Sequence, residues 1–569
     1  MEKIFILGNE SSKEWANSIG EIITVPSSMA VNDYAELHDF TCRLFQAKEK
    51  PTKIIVDLDA IKPEIGLYIA LHMRLSPADI GEAALLPLLF VSDLQLQSYL
   101  SYGECSQLFL CPQGVAFCHP DDVEETIKVL YGLNCDDYQT SFLDYIHIHP
   151  DATIGHHSMA NQWGADVLNR IISDDVFDII DELVKEKKKL YYKYIYVKTN
   201  SIAEIINHST HSVEKNRLRC ISAENKNILL IDDEANKGWK SVMEKWLYGA
   251  KLDDVSTPLS SYEDIPKATR TKIEASEYDL YLLDLRLRGI EEDNIFNPDE
   301  FSGMNILKKI KELNPGNQVI MMTASNKAWN MKALIDAGAD GYYIKESPEF
   351  QYPMAFSKAN FISMWNAVEK AFKKTYMKEI FVSLNKIKIS LPEDDFGESI
   401  STQLDIAFDL ILRAEKPEQY AFAYVSLYQV IEIVTEHYVH QEEIILSGNN
   451  NSRLFRWKLN NGDYIKDYSW DSRTRTYTPQ NEVQTVGERT VFPQWKKVAG
   501  VVFQEWNLQE HLLVQQLSYL IEKRNGFIHN DKSILDKKDR QGRYLNQDIY
   551  DKTGFQKLFN CIITICSHL

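Results

Sequence analysis

Four short apolar runs between Asn227 and Ser347 each end on a residue able to handle a phosphoryl group or the cation that accompanies one. NILLIDDE (Asn227–Glu234) brings Asp232 and Asp233, DLYLLDLRL (Asp279–Leu287) brings Asp284, QVIMMTAS (Gln318–Ser325) brings Thr323, and GADGYYIKES (Gly338–Ser347) brings Lys345. Apolar runs of this length, separated by helical patterning, predict buried strands of a parallel sheet. In such a sheet the carboxyl ends of the strands share one crevice, where ligands bind. The five side chains are therefore expected in a single site. Three carboxylates held together repel one another and bind a hard divalent cation such as Mg²⁺. The cation would neutralise an incoming phosphoryl group and make Asp284 usable as a nucleophile. Lys345 supplies a point charge for one phosphoryl oxygen and Thr323 a hydroxyl for another. Such a set transfers a phosphoryl group onto a carboxylate, giving an acyl phosphate.

IDDE, LLDLRL, SGMNILKKIKELNP, MMTAS and GADGYYIK occur in that order, and together they resemble the receiver domain of bacterial two-component response regulators from Asn227 to Ser347. The resemblance implies that Asp284 is the phosphorylated residue. Asp232, Asp233 and Asp284 would hold Mg²⁺, helped by the backbone carbonyl of Arg286. Lys345 would bind the phosphoryl group, and Thr323 and Tyr342 would be the switch pair that reports phosphorylation. A sensor histidine kinase or another phosphodonor is the implied partner. Two features depart from the family pattern. The loop after Asp284 carries an acidic insertion, RGIEEDNIFNPDEF (Arg288–Phe301), expected to shield the site or contact a partner. Glu346 stands where the family usually has proline.

The rest of the chain sets this region in a multidomain protein, α/β followed by all-α. A length of 569 residues predicts several domains. A net charge of −20 argues against coating nucleic acid by bulk electrostatics. No apolar run approaches the ~20 residues of a membrane span, and no charged-then-apolar leader opens the chain. The eight cysteines are scattered without a CxxC pair, so neither a zinc site nor a disulfide framework is expected. These features point to the cytoplasm and to no membrane partner.

Residues 1–135 alternate strand and helix patterns through KIFIL (Lys3–Leu7), EIITV (Glu21–Val25), KIIVDLD (Lys53–Asp59), LLPLLFVSD (Leu85–Asp93) and SQLFLC (Ser106–Cys111). This order resembles a second, degenerate receiver. Asp57 or Asp59 would stand in the acceptor position, but the first run ends in Leu7-Gly8-Asn9 without an acidic pair, so phosphorylation is not expected there. Residues 136–225 read as a helical connector, with a polar stretch from Ser212 to Lys226 as its linker to the receiver at 226–375. In the connector, His157 and Asn161 share a helical face at i,i+4. A phosphotransfer role for that histidine is outweighed by a packing role. His147, His149, His156 and His157 lack the carboxylate or thiolate spacing that would complete a metal site.

Residues 376–569 carry helical patterning around a polar insert at 447–498. Leu513, Leu517, Leu520, Ile521, Arg524 and Ile528 fall on one stripe. An arginine in an apolar stripe is costly unless it meets an anion or a carboxylate. The block Arg524-Asn525-Gly526-Phe527-Ile528-His529 resembles the RNxxxH form of the motif of HEPN domains. Those are helical bundles that often dimerise, and many cleave single-stranded RNA without metal. The resemblance implies a homodimer in which Arg524 stabilises charge on the scissile phosphate, His529 handles a proton or positions the phosphate, and Asn525 holds either. The expected function is a phosphorylation-responsive protein whose receiver gates a ribonuclease. The alternative is a non-enzymatic scaffold, or an RNA- or protein-binding module, with Arg524 paired to an acid such as Glu522 or Glu432. The insert, basic and rich in Trp457, Tyr464, Tyr468, Trp470 and Tyr477, would either stack bases or be a surface elaboration.

Overall fold

The computed structural model describes residues 3–12, 14–46, 50–150, 156–173, 184–210, 219–256, 264–288, 292, 295, 297–324, 328–350, 352–445, 453–482, 486–487, 492–538, 544 and 546–569. Two compact units emerge. Unit 1 comprises Met1–Leu313 and Asn317–Lys374, and unit 2 comprises Asn314–Gly316 and Thr375–Leu569.

Unit 1 is built on two five-stranded sheets. The first contains β1 (Ile4–Gly8), β2 (Glu21–Thr24), β3 (Lys53–Asp57), β4 (Leu88–Val91) and β5 (Val115–Cys118), in the order β2-β1-β3-β4-β5. The second contains β6 (Asn227–Ile231), β7 (Lys251–Val255), β8 (Leu280–Asp284), β9 (Val319–Thr323) and β10 (Gly341–Ile344), in the order β7-β6-β8-β9-β10. Every pairing within both sheets is parallel. The two sheets therefore share one doubly wound topology, in which the crevice opens beside the first and third strands. The central strands are apolar because both faces are covered: β3, β4, β8 and β9 are buried along their whole length.

The fifth strand of the first sheet is not SQLFLC. Gly103–Leu110 forms a 3₁₀ helix, and Val115–Cys118 takes the edge position beside β4. Burial of Cys105, Leu108 and Cys111 recurs every three residues, the period of a 3₁₀ turn rather than of a strand, and Leu110 is left exposed. Ser106 strengthens the turn by donating its hydroxyl to Gly103 O at 2.7 Å.

Around the sheets lie α1 (Tyr34–Leu44), α2 (Pro63–Arg74), α3 (His156–Ser173), α4 (Leu190–Thr199), α5 (Trp239–Trp246), α6 (Ser302–Leu313) and α7 (Met354–Lys374). The first sheet's helices are tied to α4 through Lys193. Its buried ammonium reaches His38 Nδ1 at 2.8 Å, His72 Nδ1 at 2.9 Å and Ser76 Oγ at 2.7 Å. Burial and the lysine charge hold the His72 imidazole far below its usual pKa of 6.5. The folded protein therefore keeps His72 neutral, while the unfolded chain takes up a proton below pH 6.5. Stability present above that pH is lost as pH falls, by about 2 kcal/mol at pH 5 for this one residue. The first thermal transition of the protein is expected to drop between pH 6.5 and pH 5. A His72→Gln variant should show a flatter profile, and an equally steep fall in that variant would refute the assignment.

Unit 2 packs α8 (Met377–Ser390), α9 (Asp395–Arg413), α10 (Pro417–Tyr438), α11 (His511–Ile528) and α12 (Lys552–Cys566) around a core that includes Tyr424, Tyr428, Leu517 and Phe555. Helix starts are set locally. Asp394 accepts from Gly397 N, Asp551 accepts from Thr553 N, and Pro417 opens α10. Among its described residues the polar insert is largely β structure: Arg453–Leu459 pairs with Val439–Ile445, which precedes the insert, and Lys466–Asp471 pairs with Thr476–Glu482. Trp457, Tyr468 and Tyr477 are buried there, and Trp457 stacks on Phe492 with ring centres 4.1 Å apart. Tyr468 and Tyr477 pack into the core of unit 2 beside Phe503, and Trp457 packs into the smaller cluster of the hairpin, so these three rings present no free face to a base. The stripe on α11 also differs from the sequence expectation. Lys523 and Gly526 are buried, Arg524 is partly exposed and Ile528 is exposed.

Candidate functional site

The second sheet brings the five predicted residues together. Asp232 and Asp233 follow β6, Asp284 ends β8, Thr323 ends β9 and Lys345 follows β10. All are buried: Asp232 and Asp233 are 0% exposed, Asp284 4%, Thr323 2% and Lys345 3%. Carboxylate oxygens of Asp232, Asp233 and Asp284 lie within 4.8 Å of one another. Lys345 Nζ donates to Asp232 Oδ2 at 2.6 Å and to Asp284 Oδ2 at 2.5 Å. Burial pushes the Asp284 carboxyl well above the usual carboxylate range, and Asp232 and Asp233 push it the same way, against Lys345. Burial works to strip the Lys345 proton, but the two carboxylates outweigh it and hold the ammonium charged. Three converging hard oxygen donors of excess negative charge fit a divalent cation of the Mg²⁺ type.

The surrounding backbone is fixed by neighbours of these residues. Gly303, in the first turn of α6, lets that helix approach the end of β8; a Cβ there would lie 2.1 Å from Asp284 O. Arg286 N donates to Asp284 Oδ1 at 3.4 Å, which places the loop that carries Arg286 against Asp284. Glu292, from the acidic insertion, turns inward. It accepts from Ser302 N at 2.7 Å, Ser302 Oγ at 2.9 Å and Leu287 N at 2.9 Å. This part of the insertion thus caps α6 and pins the loop. Glu346 is buried as well and accepts from Ser357 Oγ on α7 at 2.7 Å. Tyr342 is exposed on β10, whereas Thr323 is buried. The two members of the expected switch pair thus occupy opposite solvent environments.

One part of the site comes from outside the second sheet. Asn161 on α3 accepts from Lys345 Nζ at 3.1 Å and from Trp239 Nε1 at 3.0 Å. The Lys345 ammonium also lies 5.2 Å from the centre of the Trp239 ring. Sequence patterning placed Asn161 on a helical face but offered no partner for it, because 184 positions separate it from Lys345. Trp239 carried no chemical signal of its own. The side chains of His156 and His157 lie outside the described residues, as do residues 212–218 of the expected linker.

The corresponding end of the first sheet is closed by its own polar groups. Asp57 accepts from Asp59 N and Ala60 N, both at 3.2 Å, and Asp59 accepts from Ser92 Oγ and Asp93 N, both at 2.7 Å. Asn9, where the second sheet has an acidic pair, donates to Ala60 O. In unit 2, Arg524 Nη2 donates to Glu432 Oε1 at 2.9 Å and Nη1 to Asn525 Oδ1 at 3.2 Å, while the guanidinium lies 5.0 Å from the Tyr428 ring centre. His529 is exposed at the C-cap of α11, its N–H donating to Asn525 O.

Comparison with known proteins bears on the second sheet. Residues 228–351 match the response regulator receiver domain family. The nitrate/nitrite response regulator protein NarP of Escherichia coli is 35% identical over 71 residues, which are 12% of this chain and 28% of that protein. A nitrate/nitrite response regulator protein homolog of Haemophilus influenzae is 30% identical over 126 residues, 21% of this chain and 50% of that protein. The chain therefore spans half or less of the length of these curated relatives. A CheY-like receiver domain protein from Methanospirillum hungatei is similar in structure, with 22% identity and a TM-score of 0.18, over 26% of this chain and 95% of that one. No described helix is long and apolar enough to cross a membrane. The family match, together with the buried cluster of Asp232, Asp233, Asp284, Thr323 and Lys345, identifies residues 228–351 as a response regulator receiver domain.

Proposed function

We propose that this chain is a phosphorylation-responsive signalling protein in which Asp284 accepts a phosphoryl group and unit 2 is the output. What carries the reading is the bridge made by Lys345 between Asp232 and Asp284 at the end of the sheet. Asp232, Asp233, Asp284 and the Arg286 carbonyl would hold Mg²⁺. When bound, that ion would supply positive charge that offsets the carboxylates and the incoming phosphoryl group. An Asp284 oxygen attacks phosphorus, and the bond from phosphorus to the donor's leaving atom breaks, an imidazole nitrogen in a phosphohistidine or a carboxylate oxygen in an acyl phosphate. The electron pair stays on that atom, and the product is an aspartyl phosphate. Lys345 would move from the carboxylates to a phosphoryl oxygen, and the Thr323 hydroxyl would donate to another. A sensor histidine kinase or a small acyl phosphate fits as donor.

For the output, two readings stand on unit 2. In the first it is a HEPN-type, metal-independent ribonuclease that works as a homodimer, with Arg524, Asn525 and His529 at the scissile phosphate. Exposure of His529 within one helical turn of Asn525 supports it. In the second it is a receiver-controlled scaffold or binding module, and the ion pair between Arg524 and Glu432 supports that.

One experiment addresses both levels. The protein is incubated with acetyl phosphate, with Mg²⁺ or EDTA, and then with labelled single-stranded RNA. Wild type is expected to form an acid-stable, base-labile phosphoprotein only with Mg²⁺, and Asp284→Asn none. Phosphoprotein of equal yield in Asp284→Asn would sink the receiver reading. Cleavage of RNA by wild type and not by His529→Ala favours the ribonuclease, and cleavage by neither favours the scaffold.

A further inference from the structure

We propose that Asn161 is a positioning residue of the phosphorylation site supplied from outside the receiver, and that α3, which carries it, is a removable cap over Asp284. The inference rests on the reading of Asp284 as the phosphoryl acceptor.

The bonding of Lys345 is the first support. A lysine ammonium has three N–H donors. Here they meet Asp232 Oδ2, Asp284 Oδ2 and Asn161 Oδ1. The group that must meet a phosphoryl oxygen is therefore fully engaged, and one of its three partners is the cap. Asn161 holds Lys345 against the two carboxylates, in the arrangement the site has before any phosphoryl group arrives.

The fit of α3 is the second support. Gly164 stands mid-helix, where glycine costs about 1 kcal/mol relative to alanine. Its hydrogen faces the receiver. A Cβ at that position would lie 2.9 Å from Glu346 O and 2.9 Å from Trp239 Cζ2. The helix can seat so close to the strand end after β10 only because residue 164 has no side chain. Farther along, Asn169 Oδ1 accepts from Lys245 Nζ at 3.1 Å, from the receiver's own α5. Asn161 and Asn169 by hydrogen bonds, and Gly164 by close approach, thus seat α3 on the receiver. The other side of α3 is anchored within the connector. Buried Asp166 pairs with Lys187 at 2.6 Å and Arg170 at 3.2 Å, and accepts from Tyr192 Oη at 2.5 Å.

Access is the third support. In-line transfer needs the donor phosphorus about 3–3.5 Å from an Asp284 oxygen with the leaving group opposite. Asp284 is 4% exposed and Asn161 also 4% exposed. A donor therefore reaches Asp284 only once α3 has moved. Phosphorylation and seating of α3 are mutually exclusive, and each weakens the other by the same factor.

The test uses the full chain with acetyl phosphate and Mg²⁺, comparing wild type, Asn161→Ala and Gly164→Leu. A donor that meets only the uncapped form reacts in proportion to that form's population, so loosening the seat of α3 by a factor in the range of ordinary coupling predicts that both variants form aspartyl phosphate about 5- to 150-fold faster than wild type. The gain should disappear in combination with Asp284→Asn. Hydrogen exchange on wild type gives a readout that a merely structural asparagine would not move. Mg²⁺ with beryllofluoride should speed exchange in 156–173 while β6 and β8 stay protected. Equal rates in all three proteins, with Asp284 phosphorylated in each, would overturn the cap and leave the acceptor reading intact. Slower phosphorylation in both variants would also overturn it. If none is phosphorylated, Gly164→Leu included, the acceptor reading falls and the cap with it.

Discussion

Replacement of Lys345 by alanine is expected to destabilise unit 1 by about 3–5 kcal/mol in EDTA, the usual cost of removing one partner from a buried charge cluster. The lysine is 3% exposed and offsets the Asp232 and Asp284 carboxylates directly, with Asp233 beside them. Without it three carboxylates share a dry crevice with no cation. Two consequences separate this loss from a simple packing defect. Saturating Mg²⁺ should restore much of the stability, since a ligand at 100 times its Kd contributes about 2.7 kcal/mol. The loss should also shrink as pH falls. Asp284 already sits well above the usual carboxylate range through burial, and losing Lys345 pushes it higher. A carboxyl with a raised folded pKa binds more protons folded than unfolded, so it contributes stability at low pH that is lost as pH rises. Thermal melts of the variant at pH 5.5 and 8, each with Mg²⁺ or EDTA, decide the matter. A variant insensitive to both would mean that the cluster is not held together by charge.

The chemical residues of this site were legible because a parallel sheet converts sequence order into spatial order. A residue at the end of an apolar run must lie at one edge, whatever the loops do. What was not legible came through tertiary contact. Asn161 and Trp239 meet at Lys345 from elements whose patterning shows only that each is helical. Glu292 illustrates a second limit. Its acidic neighbourhood was expected to shield the site or contact a partner, yet this carboxylate turns inward to satisfy the backbone N–H groups of Ser302 at the start of α6 and of Leu287 in the loop after β8. The misplaced fifth strand shows a third. SQLFLC holds as many apolar residues as the shorter true strand VAFC, and only burial at every third residue separates a 3₁₀ turn from a strand, a distinction too fine for six residues.

The same reasoning bears on unit 2, where the sequence drew attention to Arg524 and the buried cation proved to be its neighbour. Lys523 Nζ donates to Asp548 Oδ1 at 2.6 Å and Oδ2 at 2.8 Å, and Lys557 reaches Asp548 Oδ2 at 3.0 Å. Asp548→Ala is therefore expected to cost unit 2 about 3–5 kcal/mol, because it strands a lysine ammonium in the core. For a unit of this size the loss lowers its thermal midpoint by about 10 °C. Adding Lys523→Met should recover most of it, since removing both charges costs less than removing one. Burial already lowers the Lys523 pKa, and loss of Asp548 lowers it further. A lysine so depressed binds fewer protons folded than unfolded, so the deficit of Asp548→Ala should narrow as pH rises toward 10. Arg524 answers differently. It is partly exposed and bonded to Glu432, and Glu432→Gln should change stability by no more than about 1 kcal/mol. Stability therefore separates the two cations of α11. If Asp548→Ala melts the unit and Glu432→Gln does not, Lys523 is the structural cation, and Arg524 is available for a role in RNA or partner binding. A wild-type melt for Asp548→Ala would reverse that division.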